Sequence, residues 1–175
     1  MPVGTLQVGR ERESFFARVA GRGDYGLGPV LEEQALSAIQ DGARTVVVDF
    51  QSCSYLDSTF LGALVCIACS LREVSGRIIL NCISPWIHER LHTMGLSHLF
   101  DEAEAPFEEA LQGRPEPTLS HVSAPELTRE EAARYIIKAH QRLVAMCPSH
   151  REHLNRVVEA LRREIDSRDP GRFRT

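Results

Sequence analysis

The chain has 175 residues, with 43% hydrophobic and 25% charged residues and a formal net charge of −4. This leaves room for one packed domain and an appendage, and excludes both two full-size domains and a disordered polymer. No apolar run approaches the ~20 residues that cross a bilayer, and MPVGTLQVGRERESFF has no uninterrupted apolar stretch of the signal-peptide kind.

Leu6 and Val8 suggest a short first strand, and the alternation around Phe15, Ala17 and Val19 a second. Val30, Leu31, Ala35, Leu36 and Ile39 recur at helical spacing, with Gly42 as the stop. TVVVDF, residues 45–50, reads as a buried strand, and residues 59–75 as a strongly apolar helix closed by Gly76. Residues 78–83 form another strand. Residues 85–94 form a helix, with Pro85 in its first turn and Gly95 after its end. Leu99–Phe100 is expected as a last short strand and residues 107–111 as a last short helix. Such alternation predicts an α/β domain over 1–111, with a mixed sheet of four to five strands and packed helices.

QGRPEPTLSHVSAPE, residues 112–126, has linker chemistry. A C-terminal two-helix extension follows over 127–168. Thr128 with Glu131 and Ser149 with Glu152 have capping-box spacing, and Pro148 separates the helices. Ala132, Ile136, Ala139, Leu143 and Met146 make one apolar stripe; Leu154, Val158, Leu161 and Ile165 make the other. Each stripe must be buried, either as a hairpin folded on the domain or as a homodimer through these C-terminal helices. Residues 1–119 carry nine Arg and no Lys against 16 acids, a poor match for nucleic acid, so no direct nucleic-acid binding is expected. Five cysteines with no framework spacing fit free thiols in a cytoplasmic location.

Four local motifs invite chemistry. Gly21, Gly23 and Gly26 with Asp49 downstream match a dinucleotide fingerprint. Asp24 would, however, set a carboxylate among the amides meant for a pyrophosphate, so a glycine-rich turn is expected there instead. His88, Glu89, His92, Gly95 and His98 match the H-E-x-x-H-x-x-G-x-x-H of metzincin zinc proteases, in which Glu89 would be the general base. The helix already has a covering stripe in Ile87, Leu91 and Met94, so surface histidines and no metal are expected. Cys66 and Cys69 lie mid-helix among apolar neighbours and read as inert thiols. In YLDSTFLG, residues 55–62, Asp57 can cap the following helix and Ser58 sits on its first turn.

Taken together, VVVDFQSCSYLDSTFLGALV and GRIILNCISPWIHERLHTMGLSHLF resemble the STAS domain of bacterial anti-sigma factor antagonists. The resemblance covers roughly 3–111. It rests on a strand ending in Asp49, the D-S-T-F-L-G stretch, the Ile-Ser-Pro turn at 83–85 and the Gly-Leu-x-x-Leu-Phe ending at 95–100. It implies a switch and not an enzyme, with no cofactor. Its partner would be an anti-sigma factor that is also a serine/threonine kinase, and a phosphatase would reset it. Ser58 would be the phosphoacceptor, Thr59 a second acceptor, and Asp57, Ser58, Thr59 and Asp24 the partner-binding surface. Phe60 stands where the family commonly has glycine, with its ring facing either the partner or the core. Two other readings remain: the zinc protease, and a non-switching STAS subunit of a stress-signalling or lipid-transport complex.

Overall fold

The structure is a computed structural model that describes residues 4–103 and 117–168. Two strands, β1 (Thr5–Glu11) and β2 (Ser14–Gly23), pair antiparallel. The tight turn between them places Arg12 at φ 51°. From β2 the chain crosses over three times. α1 (Gly28–Gln40) leads to β3 (Thr45–Leu56), α2 (Ser58–Glu73) to β4 (Arg77–Asn81), and α3 (Pro85–Thr93) to β5 (Asp101–Ala103). The strands β2, β3, β4 and β5 are mutually parallel neighbours in that order.

A two-residue period sorts the side chains between the sheet faces. Phe15, Ala17, Val19, Val46, Val48, Ile78 and Leu80 join α1, α2 and α3 in the main core. Phe16 and Val47 turn the other way, into a small cluster with Ile79 and Leu119. Asp49 is buried in the sheet and accepts from Arg18 Nε at 3.0 Å and from the Gln51 amide at 3.2 Å. The second half of β3, from Gln51 to Tyr55, leaves the core and is largely exposed.

The sheet has six strands, in the order β5-β4-β3-β2-β1-β6, against the four to five that the alternation of signals predicts. The addition, β6 (Ser120–Val122), comes from the stretch read as linker and pairs antiparallel with Leu6–Val8 of β1. Three residues are too few for alternation to show in a proline-bearing segment. Gly9 marks the approach, since a Cβ there would lie 2.7 Å from the Thr118 carbonyl oxygen. The expected strand at Leu99–Phe100 is displaced: Ser97–Leu99 form a 3-10 turn and β5 begins at Asp101. The expected helix at 107–111 lies outside the described residues.

Two helices close the chain, α4 (Arg129–Met146) and α5 (Arg151–Arg168). Thr128 and Glu131 form the reciprocal capping box that their spacing predicts. The second predicted box does not form: Pro148–His150 make a 3-10 turn and the Ser149 hydroxyl meets the His150 ring instead. The helices fold against each other, and Ile136 lines an open apolar groove with Val157, Ala160 and Leu161. Leu143, Cys147 and Leu154 are buried in the same core as the sheet. Of the two burial routes open to the α4 stripe, the chain thus uses its own domain. None of the described helices is long and apolar enough to cross a membrane.

Candidate functional site

Residues 57–62 sit where β3 hands over to α2. Asp57 has extended backbone and its carboxylate accepts from the Phe60 amide at 2.8 Å, so it is the N-cap and Ser58 is the first helical residue. Asp24 lies nearby on the β2–α1 turn, where it accepts from the Gly26 amide at 3.0 Å and faces Arg22 Nε at 3.6 Å. Burial pushes the Asp57 carboxyl above its ordinary range, and the charge of Asp24 adds to the rise. The site therefore already holds two acidic groups that repel.

Phe60 faces inward. It is fully buried and meets Phe50 edge-to-face at 6.3 Å. Thr59 needs a correction. It is 4% exposed, so it offers a partner neither surface nor an accessible hydroxyl in this arrangement. As the second residue of the helix it is buried like Phe60, while Ser58 stays partly exposed.

Ser58 is only partly exposed, and its neighbour is one that sequence reasoning missed. Its Oγ lies 3.0 Å from Nε2 of His140, on α4. The other ring nitrogen, Nδ1, lies 2.8 Å from the Ile136 carbonyl oxygen, which can only accept. Nδ1 therefore carries a proton, and in the tautomer that leaves Nε2 bare the Ser58 hydroxyl donates to it. His140 is 4% exposed.

Two further contacts seat α4 here. A Cβ on Gly62 would lie 2.6 Å from Ala139 Cβ, so the two helices touch almost backbone to backbone. One face over, Glu32 of α1 is buried and gripped by Arg142, with Nη1 to Oε2 at 2.6 Å and Nη2 to Oε1 at 2.7 Å. Tyr135 donates to Oε2 at 2.9 Å and Lys138 Nζ stands 3.8 Å from Oε1. Burial alone would raise the Glu32 carboxyl; the Arg142 hydrogen bonds and charge, helped by Tyr135 and Lys138, hold it below the usual carboxylate range instead.

Three aromatic side chains are exposed on the surface. Tyr25, Tyr55 and Trp86 are the exposed large hydrophobic residues among those described. Tyr55 and Trp86 stack with centroids 6.3 Å apart. Arg22 lies over Tyr55 at 4.2 Å and Arg90 over Trp86 at 5.4 Å.

The remaining motifs resolve locally. The Gly21–Gly26 turn is closed by the Asp24 carboxylate, which holds a Gly26 amide that a phosphate would need. His88 pairs with Glu102 at 2.7 Å, and no group of three or more His, Cys, Asp or Glu side chains among the described residues is placed to hold a metal ion. Cys66 lies in mid-helix with Sγ 3.7 Å from Glu32 Oε1, and burial pushes its thiol up, away from the reactive thiolate.

Comparison with known proteins bears on the family and the fold. The family described as "Mlab, STAS domain" matches residues 7–101, just over half of the chain. The unphosphorylated form of the anti-sigma factor antagonist SpoIIAA is 24% identical, with a TM-score of 0.55, covering 62% of this chain and 96% of that one. The phosphorylated form of SpoIIAA from Bacillus is 25% identical, with a TM-score of 0.54 and coverages of 62% and 97%. An anti-sigma factor antagonist from Mycobacterium paratuberculosis is 21% identical, with a TM-score of 0.53 and coverages of 65% and 96%. No curated protein matches the sequence. The family match ends before α4 begins. With its six-stranded sheet, its crossover helices and the match over 7–101, the chain belongs to the STAS-domain family, among whose solved members are the anti-sigma factor antagonists it resembles.

Proposed function

We propose that this protein is a cytoplasmic anti-sigma factor antagonist, and that a phosphoryl group on Ser58 ends its binding to an anti-sigma factor kinase. The observation that carries the reading is the position of the Ser58 hydroxyl: first residue of α2, partly exposed, directly after the Asp57 cap, whose carboxyl feels the charge of Asp24. The phosphorylated form of SpoIIAA shows that such a fold accepts the group in that protein.

The charge argument runs from the helix outward. A phosphoserine adds about −1.5 to −2 charge at pH 7. The amides of the first turn of α2 and its dipole favour an anion at that place, so the domain keeps its fold. A partner seated on the same edge meets the new charge next to Asp57 and Asp24 and pays to desolvate it. The stacked Tyr55 and Trp86, with the arginines over them, supply the residue types that anchor protein interfaces. The partner face then runs from Asp24 and Asp57 toward Trp86.

The test is a pull-down from the native cell with the wild type and Ser58→Asp side by side, followed by phosphopeptide mass spectrometry with the recovered kinase and ATP. Wild type should retain an anti-sigma factor that Ser58→Asp binds at least ten times more weakly, and phosphate should map to residue 58. Equal binding by the two chains refutes the switch. A second reading, a STAS subunit without a switch, draws support from the hydrogen bond that ties Ser58 to buried His140. It requires an unmodified Ser58 in the presence of the kinase.

A further inference from the structure

We infer that α4 is a built-in cover for the Ser58 site, latched shut by Arg142 and Tyr135 on Glu32, so that residue 58 is reachable only in molecules whose α4 has swung away. This rests on the reading of Ser58 as the switch, and it adds the regulation of that switch by the chain itself.

Three contacts carry it. The first is steric. Phosphoryl transfer forms a bond from Ser58 Oγ to the γ-phosphorus of a nucleoside triphosphate and breaks that phosphorus's bond to the bridging oxygen. The nucleoside diphosphate leaves, and the hydroxyl proton passes to a base on the kinase. In the closed form the hydroxyl points at His140 Nε2, 3.0 Å away, and a tetrahedral phosphoryl group does not fit into that gap. The second contact fixes the seat. Gly62 lies one turn along α2 from Ser58, and its close fit to Ala139 brings the next residue, His140, over the hydroxyl.

The third contact is the latch. Arg142 meets Glu32 as a two-pronged fork, the geometry that gives both strength and register. Swinging α4 away returns both charges to water, which offsets much of the attraction lost. A buried ion pair of this kind fixes where a helix sits while leaving it removable. With Arg142 gone, the closed form must keep a buried carboxylate on Tyr135 and the more distant Lys138 alone, so the balance moves toward opening. Ala139 and Leu143, both fully buried, keep the closed form dominant in the wild type.

The test uses the full chain and neither a kinase nor a partner. Amide hydrogen exchange is followed in α4, α2 and β3 for the wild type, Arg142→Ala and the milder Tyr135→Phe. In parallel, Ser58→Cys with and without Arg142→Ala is treated with a bulky maleimide. Tandem mass spectrometry reads the label at residue 58 apart from the five native thiols. The expected result is α4 exchange at least tenfold faster in Arg142→Ala and about threefold faster in Tyr135→Phe, with β3 within twofold of wild type. Labelling at residue 58 should rise at least tenfold. Unchanged α4 exchange in both variants overturns the latch, as does β3 accelerating as much as α4. Faster α4 exchange with unchanged labelling overturns the cover. If Arg142→Ala does not fold, Tyr135→Phe decides alone. A missing phosphate at Ser58 would refute the switch and leave these results standing.

Discussion

Replacing Gly62 by alanine sets two effects of opposite sign against each other. Gly62 lies inside α2 at an ordinary helical φ, so intrinsic propensity favours alanine there by about 1 kcal/mol. The added methyl would, however, lie 2.6 Å from Ala139 Cβ and 2.8 Å from both Cα and the carbonyl oxygen of the same residue. All three atoms belong to a helix backbone or its first side-chain atom, and none can rotate away. Overpacking of this kind costs about 1–3 kcal/mol, and a rigid neighbour puts it near the upper end. Should α4 retreat instead by 0.5–1 Å, the atoms along the seam lose about a quarter to a half of their contact energy. The net expectation is a loss of about 2 kcal/mol by urea denaturation. For a chain of this length that is roughly 4–8 °C in Tm. Adding Ala139→Gly should recover only part of it, because the Cα and the oxygen remain in the way. A Gly62→Ala protein more stable than wild type by about 1 kcal/mol would refute the close seat of α4 on α2.

Ser58→Ala removes the donor to a buried imidazole and should cost about 1–3 kcal/mol in chemical denaturation, although the residue is small and partly exposed; a neutral result argues against the Ser58–His140 contact. Because Glu32 is held below its ordinary carboxyl range, its contribution to folding is present above the unfolded value and lost as pH falls through the folded one. Wild type should therefore lose more stability between pH 7 and pH 3.5 than Glu32→Gln, and equal losses in urea titrations would contradict the pairing. Trp86→Ala should stay within about 0.5 kcal/mol of wild type in stability, since the ring is 44% exposed. The same change should weaken capture of the anti-sigma factor at least tenfold, and full-strength capture would remove the aromatic surface from the partner face.

The body of the fold was legible because its signals are local and redundant. The run Val46–Val48 is apolar on both faces, as a central parallel strand must be, and Asp57, Gly76 and Gly95 punctuate the helices around it. Asp57 and Ser58 could be placed at a helix start from four residues of sequence. The resemblance puts Thr59 on the partner surface, but a residue next to an N-cap turns in or out according to what the helix packs on. β6 was hidden by its length. The larger omission was the cover itself. Glu32 stands beside Glu33 in an otherwise apolar stretch of α1, and nothing in that pair says which of the two is buried. His140 likewise followed Ala139 on the apolar stripe of α4. Nothing local says that Glu32 meets Arg142, 110 positions later, or that Ser58 meets His140, 82 positions later. Such pairings are set by how two helices dock, and no local spacing in the sequence records it.

That distance along the chain has a consequence for when the site is bare. A ribosome adds roughly 5–20 residues per second, so the 82 positions between the serine and its imidazole take about 4–16 s to make. Through that interval the sheet and its first helices can assemble while the part that will shield the hydroxyl has yet to be synthesised. Every copy thus passes through a brief naked youth, and an enzyme or partner waiting near the exit tunnel would find it there without having to pry anything open.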